Sequence, residues 1–275
     1  MPPAALALAL AAAFLHACWN LLAARSRDPE AALAVAMSLG PALMIPLALA
    51  TWRIEAAALP WIVVSCALET VYLVLLARGY GRAEMSLIYP IARGTAPVFV
   101  LVAGALLLGQ AVAIVSAVGI AIVAAGVLLV RGVRSPASLR HVALALAIAG
   151  IIASYTLVDK QGLRYADPLP YAVIVTGIPG AILFAWVVLR SGTARVRAVL
   201  TPGILVASLC GIVAYGFVLG ALALAPAAAV VSAVRETSVV MATVLAALIL
   251  HERVARSRAI GALVVTAGVV LVVLG

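Results

Sequence analysis

Residues 90–130 of this chain read PIARGTAPVFVLVAGALLLGQAVAIVSAVGIAIVAAGVLLV, and residues 232–272 repeat them in diverged form as SAVRETSVVMATVLAALILHERVARSRAIGALVVTAGVVLV. The two segments align without a gap at an offset of 142 residues, which aligns Arg93 with Arg235. About 17 of the 41 aligned positions are identical. Self-similarity at a fixed offset is typical of duplicated architectures, so these segments predict a fold built twice from one unit.

The whole chain is too apolar for an ordinary water-soluble protein. Of its 275 residues, 67% are hydrophobic and only 10% are charged, and the mean hydropathy is +1.28. A membrane-spanning helix needs about 20 apolar residues, and charges, Pro and Gly divide the chain into ten apolar segments. The predicted helices are 4–24, 31–50, 60–78, 86–108, 112–131, 142–160, 168–190, 202–222, 228–250 and 256–274. The sequence therefore predicts an all-α integral membrane protein with ten transmembrane helices and disfavours soluble enzymes.

The repeated unit is five helices long. We expect the first repeat to occupy residues 1–136 and the second to occupy residues 137–275. Because five is odd, the second repeat enters the membrane in the opposite sense, and the halves form two inverted five-helix repeats. The loop charges agree, since the neutral loop 109–111 corresponds to the strongly basic loop 251–258. Inverted repeats of this kind underlie alternating access in many transporters.

The positive charge of the chain is concentrated on one side of the predicted bundle. There are 18 Lys and Arg residues against 9 Asp and Glu, a net charge of +9. Thirteen of the basic residues follow odd-numbered helices, whereas Arg53, Lys160 and Arg164 lie in the opposite loops. Since loops rich in Lys and Arg stay on the cytoplasmic side, both termini are predicted to face outward. The net charge is thus a signal of topology, and no nucleic-acid partner is expected.

The end of each repeat carries a recognisable pattern. A helix rich in small residues is followed by GQ at 109–110 or by HER at 251–253, then by a short turn and a run such as GALVVTAGVVL at 261–271. This pattern resembles the repeat unit of the drug/metabolite transporter superfamily, in its ten-helix EamA-type family. The resemblance implies a multi-pass carrier of the bacterial inner membrane for small metabolites, often amino acids or their relatives. The chain departs from the family at Gln110 and His251, where Glu and Gly are usual, and many relatives are placed with both termini in the cytoplasm.

Two arginines lie well inside predicted helices. A charged residue at such a depth costs on the order of 2.5–3.5 kcal/mol, so Arg93 and Arg235 each need a partner, a cavity or a route to the interface. One interpretation is a pair of guanidinium anchors for an anionic group, one nearer each mouth of a central cavity, with Tyr89 on the helix face of Arg93. The alternative is structural, each side chain reaching the interface or helix-end carbonyls. Pro90 and Pro97 predict a local irregularity in the fourth helix.

Acidic residues within the apolar segments are the second set of candidates. Glu69 is the deepest, with Tyr72 three residues away, and is a candidate proton carrier or receptor for a substrate ammonium group. A protonated carboxyl group making one structural hydrogen bond is the alternative. Glu236 is expected to neutralise the adjacent arginine or to pair across the bundle. Asp159 and Lys160, near the end of the sixth helix, are expected to form an interfacial charge pair.

The first helix of each repeat carries a polar and aromatic face. His16, Trp19 and Asn20 lie at positions i, i+3 and i+4, and Tyr155 and Asp159 lie at i and i+4. Facing a shared cavity, Trp19 and Tyr155 would offer ring faces to an ammonium group or an apolar side chain. His16 is either a substrate contact or a core histidine with satisfied hydrogen bonds. The candidate substrate-binding residues are Arg93, Arg235, Glu69, Trp19, Asn20, Tyr155, Tyr89, His16 and Tyr72.

Glycines recur at seven-residue spacing in the last helix of each repeat. They are Gly119 and Gly126 in the first repeat and Gly261 and Gly268 in the second. Small residues on one helix face let two backbones approach closely. The pattern predicts close packing of the fifth and tenth helices.

The sequence favours a secondary transporter. The expected substrate is a small zwitterionic or anionic metabolite moved by alternating access, and the resemblance implies export of an amino acid or related compound. The alternative is a flippase or channel for an anionic lipid-linked or small solute, since a basic cavity also suits phosphorylated lipids. The expected partners are the small-molecule substrate, with coupling to protons as one hypothesis, and membrane lipid. The protein is expected to be a monomer or a homodimer.

An enzyme is not expected. A membrane-embedded enzyme needs acid/base or metal-binding groups clustered near the headgroups. The three His residues, His16, His141 and His251, lie far apart in the sequence, and the three Cys residues have no metal-ligand spacing. We therefore predict no metal and no cofactor. The small multidrug exporters of the superfamily bind cationic drugs through a Glu in their first helix, which this chain lacks, so cationic drug efflux is disfavoured.

Overall fold

The computed structural model describes residues 1–23, 26–80, 85–131, 139–249 and 255–275, and nearly all of these residues are helical. The helices are α1 (Pro3–Ala23), α2 (Pro29–Ala50), α3 (Leu59–Tyr80), α4 (Met85–Leu108), α5 (Ile114–Arg131), α6 (Leu139–Gly162), α7 (Pro168–Ser191), α8 (Thr193–Val199), α9 (Pro202–Leu224), α10 (Ala228–Arg235), α11 (Thr237–Ile249) and α12 (Arg256–Leu274). A single 3-10 turn, Ala56–Ala58, precedes α3. The all-α fold class is confirmed.

Nine segments in the described part of the chain are long and apolar enough to cross a membrane. The helices α10 and α11 together supply one of them, Ala228–Leu245. The remaining predicted span corresponds to α5, whose apolar stretch Ile114–Val130 is shorter. Each predicted span therefore coincides with a helix or, in the ninth case, with a pair of helices. The short helix α8 occupies a stretch that was predicted to be a loop.

Proline and capping side chains set the starts of several helices. Pro29 is the first residue of α2, where its missing N–H has no intrahelical partner to lose. The Asp28 carboxylate accepts a hydrogen bond of 3.1 Å from the backbone N–H three residues later. Thr201 caps α9 in the same way at 3.3 Å, and Pro202 follows it. These local signals fix where the chain re-enters the membrane after each connection.

The prolines of the fourth helix, which predict a local irregularity, do not interrupt it, and a break in a helix lies in the other repeat. The helix α4 continues through Pro90 and Pro97, because proline holds φ at about −65°, a helical value. The ninth predicted span is instead divided between α10, which ends at Arg235, and α11, which begins two residues later. The backbone N–H of Glu236 donates to the carbonyl of Ala233 at 3.1 Å, an i to i−3 bond that tightens the turn.

The helices pack mainly against helices of the other repeat. The first helix of one repeat packs on the third helix of the other, so that α1 contacts α9 and α6 contacts α3. First and fourth helices pair in the same way, through α1 with α10 and α11 and through α6 with α4. The second helices pair as α2 with α7, and the fifth as α5 with α12. The main helix pairs therefore correspond when the two repeats are exchanged.

Glycines bring α5 and α12 into backbone contact. A Cβ atom added to Gly119 would lie 2.7 Å from the carbonyl oxygen of Gly268, and one added to Gly126 would lie 2.6 Å from the backbone nitrogen of Val265. Gly261 meets the backbone of α5 from the opposite direction. The predicted close packing of these two helices is confirmed. No larger residue fits at these positions without separating the helices.

The end of the bundle where α2 ends and α3 begins is termed here the α2–α3 end. Polar contacts join two interhelical connections at this end. Arg53 Nη1 lies 3.2 Å from Asp167 Oδ1, and Arg53 Nη2 lies 3.3 Å from Glu55 Oε1. Ile54 and Ala166 form an isolated antiparallel bridge, flanked by a backbone hydrogen bond of 2.8 Å from Asp167 to Arg53. The α2–α3 connection of the first repeat is therefore tied to the α6–α7 connection of the second.

A second polar cluster lies at the opposite end, where α1 ends and α2 begins, termed here the α1–α2 end. Arg195 of α8 contacts the Asp28 carboxylate, and its Nη2 lies 2.6 Å from Glu30 Oε2. The hydrogen bond from Arg195 lowers the pKa of Asp28 below its ordinary value. Each end of the bundle thus has its own ionic contact between the two repeats.

Candidate substrate-binding site

A cavity of about 790 Å³, a volume that includes space open to solvent, lies between helices of both repeats. Its wall is formed by α1, α2, α3, α4, α6, α7, α9 and α10. Seven of the nine predicted binding residues line it: His16, Trp19, Glu69, Tyr72, Arg93, Tyr155 and Arg235. Cavities between packed helices are common ligand sites, so this cavity is the candidate substrate-binding site.

The cavity extends toward the α1–α2 end of the bundle. Trp19 lies about one helical turn before the end of α1, Leu33 about one turn after the start of α2, and Leu76 about one turn before the end of α3. All three side chains line the cavity. The contacts of Arg53 with Asp167 lie at the opposite end of the bundle. The cavity therefore lies mainly in the half of the bundle nearer the α1–α2 end.

Arg93 forms a buried ion pair with Glu236 of the other repeat. Arg93 Nη2 lies 3.0 Å from Glu236 Oε1, and the two side chains are 5% and 2% exposed. The prediction that Glu236 pairs across the bundle is confirmed. The position equivalent to Glu236 in the first repeat is Gly94, so the pair has no symmetric copy. Because Glu236 neutralises Arg93, the two repeat-equivalent arginines are not electrostatically equivalent.

Arg235 presents a guanidinium group to the cavity wall. Its side chain is 7% exposed, and it interacts electrostatically with Tyr155 and Glu69. In the part of the chain that the structure describes, Arg235 Nε donates no hydrogen bond. A buried donor left unpaired costs about 1–3 kcal/mol. Arg235 is therefore suited to a carboxylate or water molecule in the cavity.

Two carboxyl groups meet through a tyrosine at the inner wall of the cavity. Tyr215 Oη lies 2.6 Å from Asp159 Oδ2 and 3.1 Å from Glu69 Oε1. The other Asp159 oxygen accepts hydrogen bonds from Ser65 Oγ at 2.5 Å and from Tyr171 Oη at 3.1 Å. Glu69 and Tyr215 line the cavity, whereas Asp159 lies behind them and is 1% exposed. The network links α3, α6, α7 and α9.

The predicted interfacial pair of Asp159 and Lys160 is wrong. Asp159 is buried and bonded to three hydroxyl groups. Lys160 Nζ instead donates to the carbonyl oxygens of Leu222 and Ala225 at 2.9 and 2.6 Å. Successive residues of a helix point about 100° apart, so Asp159 turns into the bundle while Lys160 reaches the end of α9. Lys160 thereby satisfies carbonyls that have no intrahelical donor.

The polar residues of α1 bond to one another. Trp19 Nε1 donates to His16 Nδ1 at 3.1 Å, and the two rings meet edge to face at a centroid distance of 5.3 Å. Asn20 Nδ2 donates to the carbonyl oxygen of His16 at 2.7 Å. Asn20 lies outside the main cavity and borders a smaller one of about 260 Å³, together with His16 and Arg93. The side chain of Tyr89 lies outside the described part of the structure.

Asp159 and Tyr215 are the site residues that the sequence analysis missed. The spacing of Tyr155 and Asp159 already placed both on one helix face, but nearness to the helix end favoured an interfacial position. Tyr215 stands alone in an apolar span, and the residue at the equivalent position of the first repeat is Leu73. Only the packing of α9 against α3 and α6 gives it polar neighbours. Among the described residues, no group of three or more His, Cys, Asp or Glu side chains could hold a metal ion.

The fold and the cavity define a multi-pass membrane protein assembled from two five-helix repeats around one polar site. The chain belongs to the EamA-like transporter family, whose family model matches residues 3–132 and again 139–274. The family resemblance noted from the sequence is confirmed. The chain is therefore a membrane transporter, and its family consists of transporters rather than enzymes.

Comparison with solved structures supports the same fold. One crystal structure, titled only as that of a protein, is 17% identical in sequence with a TM-score of 0.79, and the alignment covers 100% of this chain and 98% of that chain. It is one of 26 chains of solved structures that match. At this identity the likeness concerns the fold alone. No curated protein matches the chain significantly.

Proposed function

We propose that the protein exports a small zwitterionic metabolite, of the amino acid class, across the bacterial inner membrane by alternating access. The observation that carries this proposal is that a basic side chain, Arg235, and an acidic side chain, Glu69, lie on the wall of one cavity. A guanidinium group matches the geometry of a carboxylate, and a carboxylate attracts an ammonium group. A zwitterion satisfies both side chains at once.

The charge balance of the cavity favours a zwitterion over an anion. Arg93 is neutralised by Glu236, which leaves Arg235 as the second guanidinium group among the described residues that line the cavity. An anion bound there would add a second negative charge beside the linked carboxyl groups of Glu69 and Asp159, without a positive group to compensate it. Binding a net anion would therefore add to the negative charge at the inner wall, whereas a zwitterion leaves the net charge of the site unchanged.

The rest of the cavity suits an apolar or aromatic substrate side chain. Tyr72 and Tyr155 meet at a ring centroid distance of 6.0 Å, and both line the cavity together with Trp19, Leu33 and Leu76. Aromatic rings bury large apolar areas and also accept cations on their faces. This lining supports amino acids with hydrophobic side chains as the first compounds to test.

The packing between the repeats supports a rocking mechanism. The main helix pairs correspond when the repeats are exchanged, as expected of inverted repeats that swap conformations to expose a site alternately to the two sides. The ionic contacts at the α2–α3 end and at the α1–α2 end join segments of different repeats. In this proposal the contact of Arg53 with Asp167 at the α2–α3 end breaks when the cavity opens to that side of the membrane.

Loop charge supports loading from the cytoplasm. The basic loops follow the odd-numbered predicted helices, which places them at the α1–α2 end, and basic loops stay on the cytoplasmic side. The cavity lies nearer that end, so a cytoplasmic substrate would enter it directly. A reporter protein fused to the C-terminus should lie outside the cytoplasm. A reporter located in the cytoplasm would reverse the proposed direction of transport.

The proposal is tested by counterflow in proteoliposomes loaded with labelled hydrophobic L-amino acids. Wild-type protein should show saturable exchange, and Arg235→Ala and Glu69→Gln should reduce it at least tenfold. Arg164→Ala is the matched control, because Arg164 is exposed and lies outside the cavity, and it should keep wild-type exchange. Equal exchange by Arg235→Ala and Arg164→Ala would refute the site. Flux that does not saturate would instead support a channel.

A further inference from the structure

The interior of the bundle holds an odd number of charged groups. Among the described residues, the buried side chains that can carry charge are three carboxyl groups and two guanidinium groups: Glu69, Asp159, Glu236, Arg93 and Arg235. With all five ionised, one negative charge would lack a compensating cation. An uncompensated buried ion costs several kcal/mol, so the interior is suited to one additional proton.

The hydrogen bonds show where that proton fits. Glu236 is already paired with Arg93, which leaves Glu69 and Asp159 to share Arg235. The Tyr215 hydroxyl lies between the two carboxyl groups, at 2.6 Å from Asp159 and 3.1 Å from Glu69, and it has only one hydrogen to donate.

One arrangement satisfies all of these contacts and also gives the ionised carboxyl group the largest number of hydrogen-bond donors. Asp159 is ionised and accepts from Ser65, Tyr171 and Tyr215. Glu69 is protonated and donates to the oxygen of Tyr215. With both carboxyl groups ionised, the one hydroxyl hydrogen would have to serve two anions. The geometry therefore favours a proton on Glu69, the carboxyl group of the pair that faces the cavity.

We infer that Glu69 and Asp159, joined by Tyr215, form a binding site for one proton, and that a substrate ammonium group reaching Glu69 displaces this proton into the cavity. The proton leaves Glu69 for cavity water, and the substrate ammonium group takes the place of its positive charge beside Glu69, while the substrate carboxylate lies against Arg235. The proton site is inferred from the hydrogen-bond network alone, whereas the displacement of the proton by substrate rests on the proposed function. The consequence is that the proton and the substrate exchange across the membrane in opposite directions.

Helices around the pair contribute several titratable or charged groups. Cys66 lies on α3 with Glu69, and Tyr155 lies on α6 with Asp159. The helices around them supply Tyr171 from α7, Tyr215 from α9, Arg93 from α4 and Arg235 from α10. The guanidinium of Arg235 favours ionised carboxylates, whereas burial opposes a second negative charge. The two effects together allow one carboxylate of the pair to be ionised and one to be protonated.

The proton site is tested without any substrate. Infrared difference spectra between acid and alkaline buffer are recorded for the full-length protein in liposomes. Wild-type protein should show the carbonyl band of one buried protonated carboxyl group, and Glu69→Gln should lose it. Tyr215→Phe should shift both the frequency of the band and the pH at which half of it is lost, because it removes the bridging hydroxyl. Glu55→Gln, which changes an exposed carboxylate, should leave the band unchanged.

Variants that do not fold are identified beforehand by size-exclusion chromatography, and Asp159→Asn gives a second measurement of the same network. A band that survives unchanged in Glu69→Gln, Asp159→Asn and Tyr215→Phe overturns the inference. The absence of any buried-carboxyl band in wild-type protein overturns it as well.

Displacement is measured by adding an equimolar mixture of zwitterionic L-amino acids to weakly buffered protein. Wild-type protein should release one proton per bound molecule, and Glu69→Gln should release none. If the infrared band is present but neither amino acid binding nor counterflow is detected, the proton site is supported and the proposed substrate class is rejected. Binding without proton release would reject the displacement while leaving the proposed transport intact.

Discussion

Arg93 and Glu236 come from different repeats and form an ion pair in the interior of the bundle, with 3.0 Å between Nη2 and Oε1. Glu236 occupies the single residue between α10 and α11. The pair therefore joins the uninterrupted fourth helix of the first repeat to the break in the corresponding span of the second. It also neutralises one of the two arginines that occupy equivalent positions in the two repeats. The repeated sequence therefore produces an asymmetric site.

Removing the carboxylate of this pair should destabilise the protein strongly. Glu236→Gln leaves the Arg93 guanidinium buried without its anion, a change that costs about 3–5 kcal/mol. Thermal unfolding in detergent should show a clearly lower midpoint. The double variant Arg93→Met with Glu236→Met should recover most of the loss, since it removes both charges together. An unchanged midpoint in Glu236→Gln would show that the pair does not form.

Adding one methyl group between α5 and α12 should be costly. In Gly126→Ala the new Cβ would lie 2.6 Å from the backbone nitrogen of Val265. A backbone atom cannot move away from this contact as the end of a flexible side chain can. Overpacking of this kind costs about 1–3 kcal/mol. The matched control is Gly216→Ala in α9, where nothing lies within 4 Å of an added Cβ and the effect should be neutral or slightly stabilising. Equal unfolding midpoints for the two variants would contradict the packing.

Locking the α2–α3 end should stop transport. Ile54 and Ala166 face each other as an antiparallel pair flanked by backbone hydrogen bonds, a geometry with about 4.5 Å between Cα atoms that a disulfide can span. In a background without the three native cysteines, Ile54→Cys with Ala166→Cys should cross-link on oxidation and lose counterflow. Reductant should restore it, and each single variant should remain active. Full activity of the cross-linked protein would show that this end does not open.

The contact at the α1–α2 end should depend on pH through Asp28. The hydrogen bond from Arg195 lowers the pKa of Asp28 below its ordinary value of 3.8. A group whose pKa is lowered by folding stabilises the protein above its unfolded pKa and loses this contribution as the pH falls through its folded pKa. Wild-type protein should therefore unfold at a higher temperature than Asp28→Asn near neutral pH, and the difference should shrink as the pH falls below 3.8 and then through the lower folded pKa of Asp28.

Asp28→Asn isolates the charge, because Asn caps a helix about as well as Asp does. The same pH series on Arg195→Gln should show a much smaller dependence, since the group that lowers the pKa of Asp28 is then absent. A difference between wild-type protein and Asp28→Asn that persists unchanged into acid would show that the cap, and not the ion pair, accounts for the effect.

The candidate site was largely predictable as a set of residues but not as a set of contacts. Polar side chains in apolar spans are conspicuous because lipid penalises them, and seven of the nine predicted residues line one cavity. Their partners were not predictable from spacing along the chain. Asp159 was assigned to the interface because it lies near a helix end, and its burial depends on hydroxyl groups of three other helices, Ser65, Tyr171 and Tyr215.

The sequence by itself determined the spans and the repetition, because hydrophobic length and self-similarity are properties of the chain read in order. It also determined the contact of α5 with α12, since glycines at regular spacing leave one face open to another backbone. The tertiary structure decided which charges meet. The partner of Arg93 lies 143 positions away at Glu236. The contacts of Tyr215 with Glu69 and Asp159 exist only where α3, α6 and α9 converge, because a buried charge is stabilised by whatever the fold places within a few ångströms of it.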